Sequence, residues 1–452
     1  MENTFSNFGN QTKKCNVEMS PETKRKSSSF CLHSAIRNMD LNGVALLIRS
    51  GVELNKSDHT HFSPLTLAAT NGLTEIVSKL IESGADVNIP DVNGVTPLMS
   101  AIRGQRKEIA ELLIRKGANP NEYDESGCLP LSQAAYNGWK DILFLMIENG
   151  CDINACDRLG MTPLYFMIHY DNFDVIKALI DLGADMNSSG GTKYSPLTSA
   201  TYKGKTEIAS LLLEKGADID ALDAQGLNPL SVSILTKNLD MVKFFIKAGA
   251  NVNQRDGFGR LPLTLAILKE DRDIMKYLIE KGAGVESSDE TGKNTPLFDA
   301  IFLGYIDVVE LMIEKGCNVN FQNVDGVTPI LIAAKLDHYD LAKVLIDHGA
   351  NINLSLWPFI WFPIFNAVAA EKPNLTSLLI ENGSYVNVKN CNGFTPFRHT
   401  IVHNENQSQM IVLLTNGSDL NLRDDNGNNE IEGALDMKKV KALKLIAYHM
   451  ST

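Results

Sequence analysis

Asp91-Val92-Asn93-Gly94-Val95-Thr96-Pro97-Leu98, running on to Gly117-Ala118-Asn119-Pro120-Asn121, holds the unit from which this chain is built. Its proline recurs at Pro64, Pro97, Pro130, Pro163, Pro196, Pro229, Pro262, Pro296, Pro329, Pro363 and Pro396, each 33 or 34 residues after the last. A glycine keeps the same period, from Gly51 and Gly84 through Gly117 and on to Gly383. A fixed period of this size marks a stacked repeat protein. The functional question becomes what a long repeat array binds, and with which of its units.

Each unit has the chemistry of two short helices and a turn. A hydroxyl precedes the proline in Thr96, Thr162, Thr295, Thr328 and Thr395, with Ser63 and Ser195 in the same place, where it can accept a hydrogen bond from a free N–H of the first helical turn. Proline in the first helical position loses nothing, because that N–H has no partner inside the helix. Four residues on stand Ala68, Ala101, Ala134, Ala200, Ala266, Ala300, Ala333 and Ala367, small enough for helices of adjacent units to approach closely. The second helix carries a buried stripe such as Ile76, Val77, Leu80 and Ile81. Gly84 and its equivalents end it, in the left-handed conformation that glycine enters without penalty. A turn closing on Asn88 and its equivalents follows, and the Asn side chain is expected to bond backbone within that turn.

Asp-x-x-Gly-x-Thr-Pro-Leu, a helix pair and then Gly-Ala-Asp-Val-Asn together resemble the ankyrin repeat, over more than 90% of the chain. The resemblance implies an all-α ankyrin-repeat solenoid, in which stacked helix-turn-helix pairs form a curved array with β-hairpin fingers. The expected organisation is a disordered tail at 1–29, a partial capping repeat at 30–56, eleven repeats at 57–423 and a C-terminal capping repeat at 424–452. The last of these lacks Thr-Pro-Leu, and its final stretch sets Lys438, Lys439, Lys441 and Lys444 beside Val440, Leu443, Leu445 and Ile446. One polar face suits a unit that ends the stack in water.

Composition narrows the function. A net charge of -12 over 452 residues argues against nucleic acid, whose binding rests on clustered Lys and Arg. Seven scattered cysteines, an odd number without metal-ligand spacing, point to a reducing compartment. The expected location is therefore cytoplasmic, with the nucleus as an alternative. Lys24-Arg25-Lys26 is a weak import signal that reads more simply as a solvated charge run. Residues 1–29 have no apolar core of a signal peptide. The apolar run from Leu354 to Ala370 contains two prolines and Asn366, and Pro363 falls on the repeat period. It reads as a repeat, and no integral membrane span is expected.

Candidate chemistry mostly dissolves into the repeat. Gly204-Lys205-Thr206 lacks the upstream glycine of a phosphate loop, since Ser199 stands there. Asp424-Asp425-Asn426-Gly427 would need carboxylates where a calcium loop would place Leu422 and Gly433. His399 and His403 share one helix face, at positions read as solvent-accessible, without an evident third ligand. Neither a catalytic constellation nor a metal or cofactor site is expected, and the chain is read as no enzyme.

Binding residues are sought where repeats differ. The resemblance implies that partners lie along the fingers and the inner face of the first helices. Six residues after each proline comes a position expected to face that groove, and it carries Arg103, Tyr136, His169, Tyr202 and Phe302. Arg and Tyr are over-represented among binding hot spots. A second candidate is the finger before Pro363, where Trp357, Phe359 and Trp361 stand and Ile360 replaces the usual glycine. These rings either meet a partner or fold back between neighbouring fingers. The reading that follows is a monomeric, non-catalytic scaffold or adaptor that binds proteins through groove and fingers. Its alternatives are a membrane-associated, channel- or toxin-like ankyrin module, which would need an appended membrane domain, and a ubiquitin-ligase substrate adaptor, which would need a ligase-recruiting box after the repeats.

Overall fold

The computed structural model describes residues 31–58, 61–287, 295–354, 362–403 and 405–451. The chain divides into two compact units, Met1–Gln225 and Gly226–Thr452. In both, the period seen in the sequence is a period of helix pairs. The first helix begins on the recurring proline, as in Pro64–Asn71, Pro97–Arg103, Pro130–Tyr136, Pro163–Tyr170 and Pro196–Tyr202 of the first unit. A second helix follows after a short turn, as in Thr74–Glu82, Lys107–Arg115 and Lys140–Glu148. The second unit repeats the pattern from Pro229–Leu235 to Pro396–His403, and ends with Glu430–Asp436 and Val440–Ser451. None of these helices is long and apolar enough to cross a membrane.

The first helices start as their caps dictate. The Thr96 hydroxyl accepts the Met99 N–H at 3.2 Å, and Ser63, Thr162, Ser195, Thr295 and Thr395 do the same work in their own repeats. Thr328 does not: its hydroxyl is buried and makes no cap bond. Asn228, which the hydroxyl pattern overlooks, caps its helix by accepting the Ser231 N–H at 2.8 Å. The alanines four residues after the proline are fully buried in both units, so the helices of neighbouring repeats meet over methyl groups. Ile109, Ala110, Leu113 and Ile114 form one buried stripe of the first unit. In the second unit, Ile274, Met275, Leu278 and Ile279 do so within a core that runs on to Leu379.

Gly117 ends its helix with φ 87°. A Cβ built there would meet nothing within 4 Å, so backbone conformation, and not space, selects glycine at this position. The period also extends one step beyond Gly383, to Gly417 with φ 87°.

Two features go past the sequence reading. The fingers are tight turns, and no strand occurs among the described residues. The Asp91 carboxylate accepts the N–H groups of Asn93 and Val95, both at 2.9 Å, and a single backbone bond, Glu125 N–H to Asn93 O at 3.0 Å, joins one finger to the next. The turn asparagines do not bond their own turn. Asn88 donates to the Gly117 carbonyl at 3.1 Å and accepts the Asn119 N–H at 2.7 Å, both in the following repeat. Asn121 and, in the second unit, Asn320 do likewise. The local bond is made by the residue two places earlier, as when Asn119 accepts the Asn121 N–H at 3.0 Å. These asparagines form a ladder that ties repeat to repeat.

Candidate functional site

The position six residues after the proline lies at the end of the first helix, two residues beyond the buried alanine. In the first unit it is exposed at Thr70, Arg103, Tyr136, His169 and Tyr202. A row of variable side chains therefore crosses successive first helices while the residues beneath them are buried.

Arg103 is anchored. Its guanidinium pairs with Asp124, a buried carboxylate on the following finger, and lies 3.3 Å from the Ser126 hydroxyl. That contact ties the end of the Arg103 helix to the following finger. Cys128 lies beside this pair, and burial pushes its thiol up despite the Arg103 charge. Tyr136 is 52% exposed and packs edge-on to Tyr170, with ring centroids 5.0 Å apart. Phe166 meets Tyr170 at 4.7 Å, and His169 meets the same ring at 5.6 Å. Tyr202 is 57% exposed and stacks on Tyr194 at 5.3 Å with the planes 22° apart. Burial raises the Tyr194 phenol, helped by Tyr202, Asp223 and Tyr165 nearby.

The structure thus brings Tyr136 and His169 into one aromatic cluster and gives Tyr202 a stacking partner. Phe166, Tyr170 and Tyr194 complete these contacts and were missed by reading a single position per repeat. The aromatic run Tyr165-Phe166 and His169-Tyr170 within one helix was the signal available. Rings held by other rings lose little freedom on binding, and amphipathic tyrosine offers both apolar area and a hydroxyl.

Phe302 belongs to the second unit, 62% exposed at the end of Pro296–Phe302. It borders an apolar groove between first helices and is not part of the tyrosine cluster. Trp357, Phe359 and Trp361 lie outside the described residues.

The other sequence candidates resolve into structure. Gly204 has φ 69° in the turn between two helices, and the Lys205 ammonium pairs with Asp171. His399 corrects the surface position expected for it. It is half-buried beside Phe365, its Nδ1 is buried without a hydrogen-bond partner among the described residues, and burial lowers its pKa to about 4 with help from His403. Asp424 heads a finger whose carboxylate accepts N–H groups from Asn426 and Asn428, each at 3.0 Å.

Capped helix pairs stacked through buried alanines define the class, an α-helical repeat solenoid. The chain belongs to the ankyrin-repeat family, whose sequence profile of three repeat copies matches residues 32–124, 131–223, 183–256, 230–323 and 286–355. It is also similar to the ankyrin repeat protein FPV031 of Fowlpox virus (strain NVSL), with 27% identity over 164 residues, 35% of this chain and 48% of that protein. The chain thus matches about half the length of this relative. Ankyrin repeats in general mediate protein–protein interaction.

Proposed function

We propose that this chain is a non-catalytic scaffold or adaptor that binds a protein partner along the angle between first helices and fingers. The observation that carries this reading is the exposed row Arg103, Tyr136, His169 and Tyr202, with its rings braced by Phe166, Tyr170 and Tyr194. The recurring residues are spent on caps, close helix contacts and helix ends, so specificity falls to positions that vary between repeats. Arg and Tyr dominate interface hot spots, and here each has a neighbour that limits its side-chain entropy. A standard interface buries roughly 800 Å² per partner, an area that spans several neighbouring repeats. The acidic balance of -12 favours a protein partner over a nucleic acid.

The test is affinity capture with the full chain and with Tyr136→Ala/Tyr202→Ala, quantified by mass spectrometry. Truncating two hot spots worth about 2 kcal/mol each should deplete specific partners by far more than tenfold. Equal capture by a folded double variant removes the groove assignment.

A further inference from the structure

The last helix pair, Glu430–Asp436 and Val440–Ser451, leaves open a side that the inner pairs have covered. Glu430 stands in the place of the recurring proline, 34 residues after Pro396. Five residues beyond that proline, Ile102, Ile168, Ile234, Ile267, Ile301 and Ile401 are fully buried. Leu435 holds the same position in the last pair and is 57% exposed. The fourth residue of the second helix behaves alike. Val77, Leu143, Ile176, Val242 and Met275 are fully buried there, whereas Leu443 is only partly so. Ile431 and Leu443 pack on the core that holds Phe397, Ile401 and Leu413, yet both keep an exposed flank.

Ion pairs of inner repeats identify this side. Lys107, first in its second helix, pairs with Asp141 one repeat further on at 2.7 Å, and Lys276, fifth in its own, pairs with Asp307 at 2.6 Å. Both positions therefore look toward the following repeat. In the last pair they hold an exposed Val440 and Lys444. A unit that ends an array in water needs a polar outer face, but Ile431, Leu435, Val440 and Leu443 give this one the side chains of an interior contact. Charge points to what covers it. The first helix carries Glu430, Glu432 and Asp436 without a base, and residues 437–452 carry Lys438, Lys439, Lys441 and Lys444 without an acid. Lys439 pairs with Glu405 and Glu432 with Arg423, while Lys441 and Lys444 have no ion pair among the described residues. Acid on one helix and base on the other make the face self-complementary. A two-fold axis lays the acidic helix of one copy beside the basic helix of another, and such closed dimers are the commonest oligomers.

We propose that this face pairs two copies of the chain about a two-fold axis. Leu435, Val440 and Leu443 of each copy pack against the same residues of the other, with Glu432 and Asp436 facing Lys441 and Lys444 across the axis. The pairing is independent of the row Arg103, Tyr136, His169 and Tyr202 on the first unit. A face made of two short helices is smaller than a standard interface, so the dimer is weak and dissociates on dilution.

Sedimentation equilibrium of the full chain tests this. From about 1 to about 100 µM the average mass should rise from that of a monomer toward twice that value and stop there. Leu435→Asp should weaken association by about tenfold or more. Val440→Lys should do the same with an unchanged fold, since inner helices begin with Lys107 and Lys140 at this position. Tyr136→Ala/Tyr202→Ala should leave the dimer intact. In an equimolar mixture of isotopically light and heavy chains, carbodiimide should couple Glu432 or Asp436 of one copy to Lys441 or Lys444 of the other. A monomer throughout the range, a mass that climbs past the dimer, or association unchanged in both Leu435→Asp and Val440→Lys overturns the proposal. Loss of the dimer in the tyrosine variant, or light–heavy products that never join these two helices, overturns it as well.

Discussion

Arg398 is the largest fully buried side chain among the described residues, and replacing it tests how the last helix pair is held. It stands on Pro396–His403, at a place where other repeats carry Thr66, Met99 or Ser132. Its guanidinium donates to the Asp424 carboxylate at 2.6 Å and to the Asn429 and Glu430 carbonyls at 3.1 and 3.3 Å. The Glu430 carboxylate is 4.0 Å away and accepts the Thr395 hydroxyl at 2.5 Å. Burial pushes Glu430 up to about 7, against Thr395 and Arg398, which favour its charge. For Asp424 burial also acts against the charge, but the Asn428 N–H and Arg398 outweigh it and hold the carboxyl below its usual range.

Arg398→Met therefore leaves Asp424 charged and buried with only backbone donors. Breaking a buried pair from one side costs about 3–5 kcal/mol. In a repeat array each unit leans only on its neighbours, so the loss should be confined to Glu430–Asp436 and Val440–Ser451. Hydrogen exchange followed by mass spectrometry reads this directly. Protection in these two helices should fall by roughly two to three powers of ten, while Pro97–Arg103 and Lys107–Arg115 keep theirs. Glu430→Gln in the same chain, which removes the second buried acid, should restore about 0.5–3 kcal/mol. Protection within threefold of the wild type in Arg398→Met would refute the reasoning, because the network would then hold nothing.

Three further outcomes are expected. Asn121→Ala removes two bonds to the next repeat, to Gly150 O and from Asp152 N–H, both at 2.9 Å. At about 0.5–1.5 kcal/mol each it should lower stability by about 1–3 kcal/mol in urea denaturation, whereas a purely local role would cost less than half of that. Gly117→Ala should cost about 1–2 kcal/mol from the left-handed backbone alone, since nothing lies within 4 Å of the new methyl; Gly127→Ala should cost more, because its methyl would overlap the Arg158 stem. Glu430 and His399 should give opposite pH slopes. The raised Glu430 pKa binds its proton more tightly in the fold, so its stabilisation is complete below the ordinary carboxyl value of 4.5 and is lost as pH rises to about 7, a change on the order of 3 kcal/mol. The lowered His399 pKa makes its contribution complete above 6.5 and lost as pH falls toward about 4. Thermal melts of Glu430→Gln should therefore show stability rising from pH 4.5 to 6.5, with the wild type flatter across that range.

Much of this fold was legible because its residues obey local rules. Proline, glycine and the capping hydroxyls act within one turn of the chain, and their spacing alone placed the helices. The asparagine ladder was not legible in the same way, since its partners stand about thirty residues further on and only stacking brings them together. Thr328 fails as a cap despite the right residue in the right place, and no contact in its surroundings explains it. That Arg103, Tyr136, His169 and Tyr202 form an exposed row was readable from the period, which counts positions. Its braces Phe166, Tyr170 and Tyr194 were not, because their value lies in contacts across helices.

The central claim is that function sits on the exposed row of the first unit and not on the outer helices. A photo-crosslinking amino acid placed singly at Tyr136, at Tyr202 and at Phe144, an exposed residue of the second helix Lys140–Glu148, tests it most directly in cells. Discrete protein adducts from positions 136 and 202, with none from 144, are the predicted result. Adducts from 144 with none from 136 or 202 would contradict the account.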